Sequence, residues 1–311
     1  MPLNRTILAA FVLSLLVANC KKDKDNQAPV VDAGPSISAK TRSVDVAGSA
    51  TDNDGKVVTY LWSQVSGPAA SVIASPSGTA TNIQFSKSGF YVFQLAATDD
   101  KGAVGVDTMT VDVNLLETRV MKISQYDGVA FPLVLLNGSD NSRNTFDAHP
   151  TSFGAVAWSS GGNTYTHREI LQFSGFSTFA PTDTIKSAHL YLYSDPQPSL
   201  GNKSDANSGS ANALIIQRVT DYWSAYFCTW TNPPVTTTDD LITIPLTNQP
   251  YLDLDIDVTA MVSKLVGSNV NYGFLIRLQN ETPNNSRIFV SGWNTTYPQK
   301  VPRLEIVSKR F

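Results

Sequence analysis

Three histidines, His149, His167 and His189, are the side chains best suited to moving protons or holding zinc, and their spacing serves neither purpose. None falls in an HExxH arrangement, which would bring two imidazoles onto one helix face. Asp253, Asp255 and Asp257 alternate, so a strand would align three carboxylates that in principle could do glycosidic acid–base work. A solvated strand edge leading into a helix cap is the simpler account of the same spacing. There is no Gly-x-Ser-x-Gly elbow and no Gly-rich phosphate loop. Cys228, between Phe227 and Thr229, lacks the setting of an activated thiol and reads as a small buried hydrophobe. Binding fits better than catalysis. Sugars are gripped by aromatic faces on their C–H surfaces and by charged or amide groups on their hydroxyls and carboxylates. Trp158, Tyr165, Trp293 and Tyr297 lie near turns, where a ring need not be core. Arg277 and Arg287 could each meet a uronate carboxylate through two parallel hydrogen bonds, with a structural salt bridge as the competing role. These six are the candidate polysaccharide contacts, and no residue is nominated as catalytic.

The elements that must position them are strands. Of the 311 residues, 42% are hydrophobic, enough for real cores, and 16% are charged, below the roughly 25% usual in globular domains. Short period-two runs between turns dominate. Tyr91, Phe93, Leu95 and Ala97 share a face, as do Met109, Val111 and Val113, and Ala188, Leu190 and Leu192 alternate with His189, Tyr191 and Tyr193. Further strands are expected at Val57–Trp62, Ala155–Trp158, Tyr165–Phe173, Leu214–Val219, Tyr272–Leu278, Arg287–Ser291 and Pro302–Val307, with a Gly/Ser/Asn loop over Pro196–Ala211. The exception is Val258, Met261, Val262, Leu265 and Val266, one apolar helical stripe, with Asp257 as N-cap and Gly267 just past its end. A net charge of −3 excludes the basic footprint that nucleic acid requires. The charge is uneven: residues 200–257 hold two Lys or Arg against seven Asp, and 258–311 hold seven Lys or Arg against two Glu. Such asymmetry marks a ligand face or two stretches that neutralise one another in the fold.

At the N-terminus, Arg5 precedes an apolar run from Ile7 to Val17, too short to span a membrane and suited to the core of a secretory signal. Leu16-Val17-Ala18-Asn19-Cys20, followed by Lys21-Lys22-Asp23, resembles a bacterial lipobox, although Asn19 stands where Gly, Ala or Ser is preferred. The resemblance implies a signal peptide over 1–19, an acylated Cys20 anchoring the chain to the outer membrane or cell surface, and a tether over 20–28. Several acyl chains on one residue give durable anchoring.

Ala28-Pro29-Val30-Val31-Asp32-Ala33-Gly34, Gly48-Ser49-Ala50-Thr51-Asp52-Asn53-Asp54-Gly55, Tyr60-Leu61-Trp62 and Ala97-Thr98-Asp99-Asp100-Lys101-Gly102 occur in order at intervals that resemble a PKD domain, placed at 29–114. Here Ser63-Gln64-Val65-Ser66-Gly67-Pro68 follows Trp62 in place of the Trp-x-Phe-Gly-Asp-Gly turn. The resemblance implies an immunoglobulin-like spacer, sometimes calcium-stabilised, with Asp52, Asp54 and Asp99 as carboxylate ligands. Asx turns satisfying loop backbone would use the same residues.

Pro150-Thr151-Ser152-Phe153-Gly154, Arg168-Glu169-Ile170-Leu171-Gln172-Phe173, Val219-Thr220-Asp221-Tyr222-Trp223, Thr229-Trp230-Thr231-Asn232-Pro233-Pro234, Asn271-Tyr272-Gly273-Phe274 and Pro302-Arg303-Leu304 resemble a DNRLRE domain of the carbohydrate-binding module family ninety-six type, placed at 119–311. The family's framework puts Trp223 and Trp230 in the core. The whole is then expected to be all-β: an immunoglobulin-like PKD sandwich followed by a larger jelly-roll-like sandwich with one short helix. The expected role is that of a non-catalytic surface lipoprotein that binds polysaccharide, acidic chains included, beside partner enzymes or surface proteins, with the PKD unit as spacer. A structural or adhesive protein contacting protein or matrix is the alternative, and a hydrolase or lyase a remoter one.

Overall fold

The computed structural model describes residues 25–125, 127–142, 150–200 and 204–310. The expected signal peptide, Cys20 and His149 lie outside the described residues.

The first sandwich has nine strands: β1 (Val30–Asp32), β2 (Ile37–Ala39), β3 (Ser43–Ala47), β4 (Ser49–Thr51), β5 (Val57–Ser66), β6 (Val72–Ile73), β7 (Ala80–Gln84), β8 (Gly89–Asp99) and β9 (Val104–Val113). One sheet runs β2-β9-β8-β5 and faces β3-β7-β6, with β1-β4 as a small third pair. The period-two faces pack inward as their spacing predicts: Tyr91, Phe93, Leu95, Val111 and Val113 are fully buried around Trp62 and Phe85. The Phe85 and Tyr91 rings lie 4.8 Å apart and tilted, a favourable arrangement for ring quadrupoles. Within the Gly48–Gly55 motif, Ser49–Thr51 is a short strand that pairs with Val30–Asp32.

The second sandwich comprises β10 (Leu116–Lys122), β11 (Val129–Leu136), β12 (Ser139–Asp140), β13 (Ser152–Ser160), β14 (Asn163–Gln172), β15 (Thr184–Leu192), β16 (Asn207–Ser208), β17 (Leu214–Arg218), β18 (Ile242–Ile244), β19 (Leu254–Asp257), α1 (Thr259–Ser268), β20 (Phe274–Leu278), β21 (Asn285–Val290) and β22 (Arg303–Lys309). A four-stranded sheet, β10-β22-β15-β19, packs on a curled sheet ordered β16-β21-β13-β14-β20-β17-β18, to which β11 and β12 add alongside β14. Between them lies one large core, including Leu190, Leu192, Phe274, Phe289, Leu304 and Ile306. The helix α1 contributes Met261, Val262, Leu265 and Val266 to it, the stripe read from the sequence. Its ends differ from expectation. Asp257 Oδ1 accepts the Thr259 N–H at 2.9 Å from one residue further upstream than a cap, and Val258 holds the N-cap position. Gly267 lies inside the helix, and Asn269, at φ 55°, makes the left-handed exit, since its short polar side chain tolerates that region.

Residues 115–118, left between the two placed domains, belong to core and strand. Leu115 is buried in the first core and β10 begins at Leu116, because Leu116–Lys122 pairs residue for residue with Lys309–Arg303. Bonds cross the junction: the Ser88 N–H to the Arg310 carbonyl at 3.1 Å, Lys309 Nζ to Asn114 Oδ1 at 2.7 Å, and Arg42 Nη2 to Glu117 Oε1 at 2.5 Å.

Candidate functional site

The outer face of the curled sheet carries the best constellation. In the β14–β20 ladder Glu169 is opposite Ile276, which leaves Arg168 and Arg277 side by side on the other face. Leu133 of β11 and Ile215 of β17 continue that row. Arg168 grips Glu281 with two bonds, Nε to Oε1 at 2.6 Å and Nη2 to Oε2 at 2.7 Å, and its guanidinium lies over the Trp230 ring at 4.1 Å. Among the described residues Arg277 finds only neutral acceptors, Gln217 Oε1 at 3.2 Å and the Leu278 carbonyl at 3.1 Å. Burial holds its guanidinium below the ordinary value, outweighing the nearby Glu281 carboxylate, with the Arg168 charge adding a smaller push in the same direction as burial. Two half-buried cations with one carboxylate between them leave a surplus positive charge on a face bordered by an indole. Such a face can receive a carboxylate with bidentate geometry.

The loop after β17 completes this surface. Trp223 and Trp230 cap a small cluster of Phe131, Leu133, Ile170, Val219, Cys228 and Leu275 on the outside of the sheet, and both remain half-buried instead of wholly core. Trp223 Nε1 donates to the Tyr272 carbonyl at 2.8 Å. Cys228 is buried, as its neighbours implied, and burial pushes its thiol up to about 11, with Asp140 adding to the effect. Asp140 clamps the loop: its carboxylate accepts the Thr231 N–H at 2.8 Å, the Thr231 hydroxyl at 3.0 Å and the Ser142 N–H at 3.1 Å. Burial alone would raise this carboxyl, but those hydrogen bonds outweigh it and hold it well below the usual range. Tyr222, Tyr226 and Phe227 project from the same loop at 72–81% exposure. Sequence reading passed over all three because they flank framework tryptophans, and a run of aromatics beside turn residues was the only available signal.

The nominated residues do not form one site. Arg277 is on the face just described. Trp158 and Tyr165 are a cross-strand pair near the β13–β14 turn, stacked 4.5 Å apart and 4° from parallel, and half-buried. They share the opposite face of β14 with His167 and Glu169, whose side chains pair at 3.0 Å while only 4% and 2% exposed. Burial raises the Glu169 carboxyl, partly countered by His167 and the Gly154 N–H. Trp293, 38% exposed, edges a cavity of about 130 Å³ that Glu169 also lines. Its loop is fixed from within: Asn294 Oδ1 accepts the N–H groups of Thr296 and Tyr297, and Asn294 Nδ2 donates to the Thr151 carbonyl.

Arg287 corrects an expectation. It sits on β21 between β13 and β16, on the face of Phe289, and is wholly enclosed. Among the described residues its guanidinium has one hydrogen-bond partner, the Pro245 carbonyl at 3.2 Å, and burial brings it down to about 10. A polymer laid on the surface does not reach it. Asp253, Asp255 and Asp257 are each used locally: by the Ser194 N–H, by His189 Nδ1 at 2.6 Å, and by the Thr259 N–H.

In the first sandwich the expected calcium ligands serve turns. Asp99 accepts the N–H groups of Lys101 and Ala103 at 2.9 and 2.8 Å and the Asn26 amide at 2.8 Å. Asp52 Oδ1 accepts the Asp54 N–H, and Asp54 meets Lys101 Nζ at 3.4 Å. No three His, Cys, Asp or Glu side chains among the described residues are gathered closely enough to hold a metal. This is the Asx-turn use of these residues.

Comparison with known proteins finds one family match within each sandwich. Residues 33–113 match the family model "K319L-like, PKD domain", and residues 147–301 match "Carbohydrate-binding module family 96". A mouse protein, "Dyslexia-associated protein KIAA0319 homolog", is 31% identical over 143 residues, which cover 44% of this chain and 13% of that one. The chain thus spans about an eighth of the length of the curated relatives it matches. Among solved structures, the PKD1 domain of Vibrio anguillarum Epp is 33% identical over 29% of this chain and 96% of its own, at a TM-score of 0.23. A carbohydrate-binding module of the β-sandwich superfamily is 12% identical over 92% of both chains, at a TM-score of 0.24. Overlaps this loose transfer neither ligand nor site. Both matched domain types are typically non-catalytic. The chain joins a PKD-like domain, at residues 33–113, to a carbohydrate-binding module family 96 domain, at residues 147–301.

Proposed function

We propose that the chain is a non-catalytic surface lipoprotein whose second sandwich binds polysaccharide on the Arg168–Arg277–Trp230 face. The PKD-like domain is its spacer and acylated Cys20 its anchor to the outer membrane or cell surface. One observation carries the binding reading: the Arg277 guanidinium lies on a sheet face beside a second arginine and an indole, with no carboxylate paired to it among the described residues. Polysaccharides that carry carboxylates suit this face best. Fixing many such binders to one surface turns weak single contacts into durable retention, because each later contact forms at high local concentration.

Affinity electrophoresis of the purified chain through gels holding uronate-bearing or neutral polysaccharide tests the reading. Retardation by the acidic polymer, weakened about ten-fold in Arg277→Ala and falling with added salt, is the expected result. If no polysaccharide retards the wild-type chain, the second sandwich contacts protein or matrix, and the exposed Tyr222, Tyr226 and Phe227 become the surface to examine. Mass spectrometry of the membrane-bound chain, with Cys20→Ala released into solution, tests the anchor.

A further inference from the structure

The arginine face and the cavity beside Trp293 differ in shape and in charge, and one kind of contact does not suit both. The face is an open sheet with a surplus cation, on which a long chain can lie across the strands. Four separate chain segments wall the cavity, among them Ala130, Pro132, Pro150, Phe153, Glu169 and Trp293. The walls are mainly apolar. Among the lining residues is Glu169, 2% exposed, whose carboxylate is held by His167 Nε2 at 3.0 Å. The exposed part of Trp293 supplies an aromatic surface at the rim.

We infer that this cavity takes the terminal residue of a glycan chain, as an uncharged ring, while the arginine face takes chain interiors. The inference rests on the carbohydrate reading above. The cavity, about 130 Å³ and walled by four chain segments, is on the scale of one sugar ring, which suits the unit at a chain's end better than one inside it. The C–H face of a sugar ring matches an indole edge and proline walls. A carboxylate accepts hydroxyl hydrogen bonds and repels a uronate, so the two surfaces sort opposite ligands. Gly154 maintains the arrangement from behind. Its N–H reaches the Glu169 carboxylate, and its lack of a side chain lets the β21 backbone approach.

The test titrates the full-length chain with a panel of neutral methyl glycosides, read by saturation-transfer NMR and calorimetry, in parallel with polymer retardation. Expected is binding of at least one glycoside that weakens about ten-fold or more in Trp293→Ala and in Glu169→Gln and is unchanged in Arg277→Ala. Polymer retardation is expected to show the converse pattern. Because Glu169→Gln disturbs a buried pair, Trp293→Ala, at a partly exposed position, decides the matter if the former fails to fold. Polymer binding with no glycoside bound, or glycoside binding untouched in Trp293→Ala, overturns this inference alone. Absence of both kinds of binding overturns the carbohydrate reading itself.

Discussion

Arg277 and Arg287 lie on β20 and β21, ten positions apart, and meet opposite surroundings. Arg277 emerges on the outer face beside Gln217, whereas Arg287 is sealed beneath β16 with two nitrogens unpartnered. The consequence is testable by pairing variants. Arg277→Ala should leave the unfolding midpoint nearly unchanged while weakening polymer binding, as surface truncations do. Arg287→Met should fold and bind as the wild type does, because replacing a poorly paired buried charge by an apolar side chain of similar length removes a desolvation cost. Denaturant titration beside gel retardation checks both. Gly154 is a third decisive residue. At φ 154° an added Cβ would stand 2.2 Å from the Arg287 carbonyl oxygen, so Gly154→Ala should cost more than about 1 kcal/mol in the same titration. The sequence could nominate arginines by chemistry, but which of them faces solvent depends on where each strand sits in the sheet, and alternation within one strand does not report that. Trp158 and Tyr165 were legible as rings near a turn, and their mutual stacking required the register of two strands.

The loop between β17 and β18 lies over the outside of the sheet and depends on one carboxylate. Asp140, in β12, has its folded pKa held below the usual value, so its contribution is complete above about pH 4, the unfolded carboxylate range, and is lost as pH falls through the depressed value. The loop carrying Trp223 and Trp230 should therefore loosen in acid before the main core unfolds. Asp140→Asn should show a looser loop already at neutral pH and little further change on acidification; NMR of the two indole N–H signals would follow this. The helix responds differently, since its worth lies in packing: Leu265→Ala should cost about 2–5 kcal/mol by thermal or denaturant unfolding. Strands and this helix were readable because burial on one face imposes a period of two or of 3.6. Short pairings such as β1–β4 and β16–β21 were not, because two or three residues are too few to show a period. The helix ends were missed by one and two residues, because Asp257 and Gly267 have the right chemistry one and two steps from the right place.

Across the whole molecule the two sandwiches meet through a two-residue connection, with Leu115 seated in the first core and three polar contacts bridging the joint. Inserting six Gly and Ser residues after Leu115 should free the domains and broaden the distance distribution in small-angle scattering, with each domain's own unfolding unchanged. The division into two β-sandwiches was legible from ordered motifs, but the bonded joint was not, because it rests on Ser88 meeting Arg310 and Asn114 meeting Lys309, pairs about 200 residues apart in the chain. The strand leaving the joint, β10, runs six steps from Leu116 to Lys122, about 20 Å, and delivers Ile123 to the wall of the cavity beside Trp293. A tug between a captured chain end there and the N-terminal side of the molecule is therefore carried along β10. That strand is bonded lengthwise to β22 through seven paired residues, so the pull meets its rungs abreast and shears them together instead of peeling them singly, the stiffer way to load a ladder.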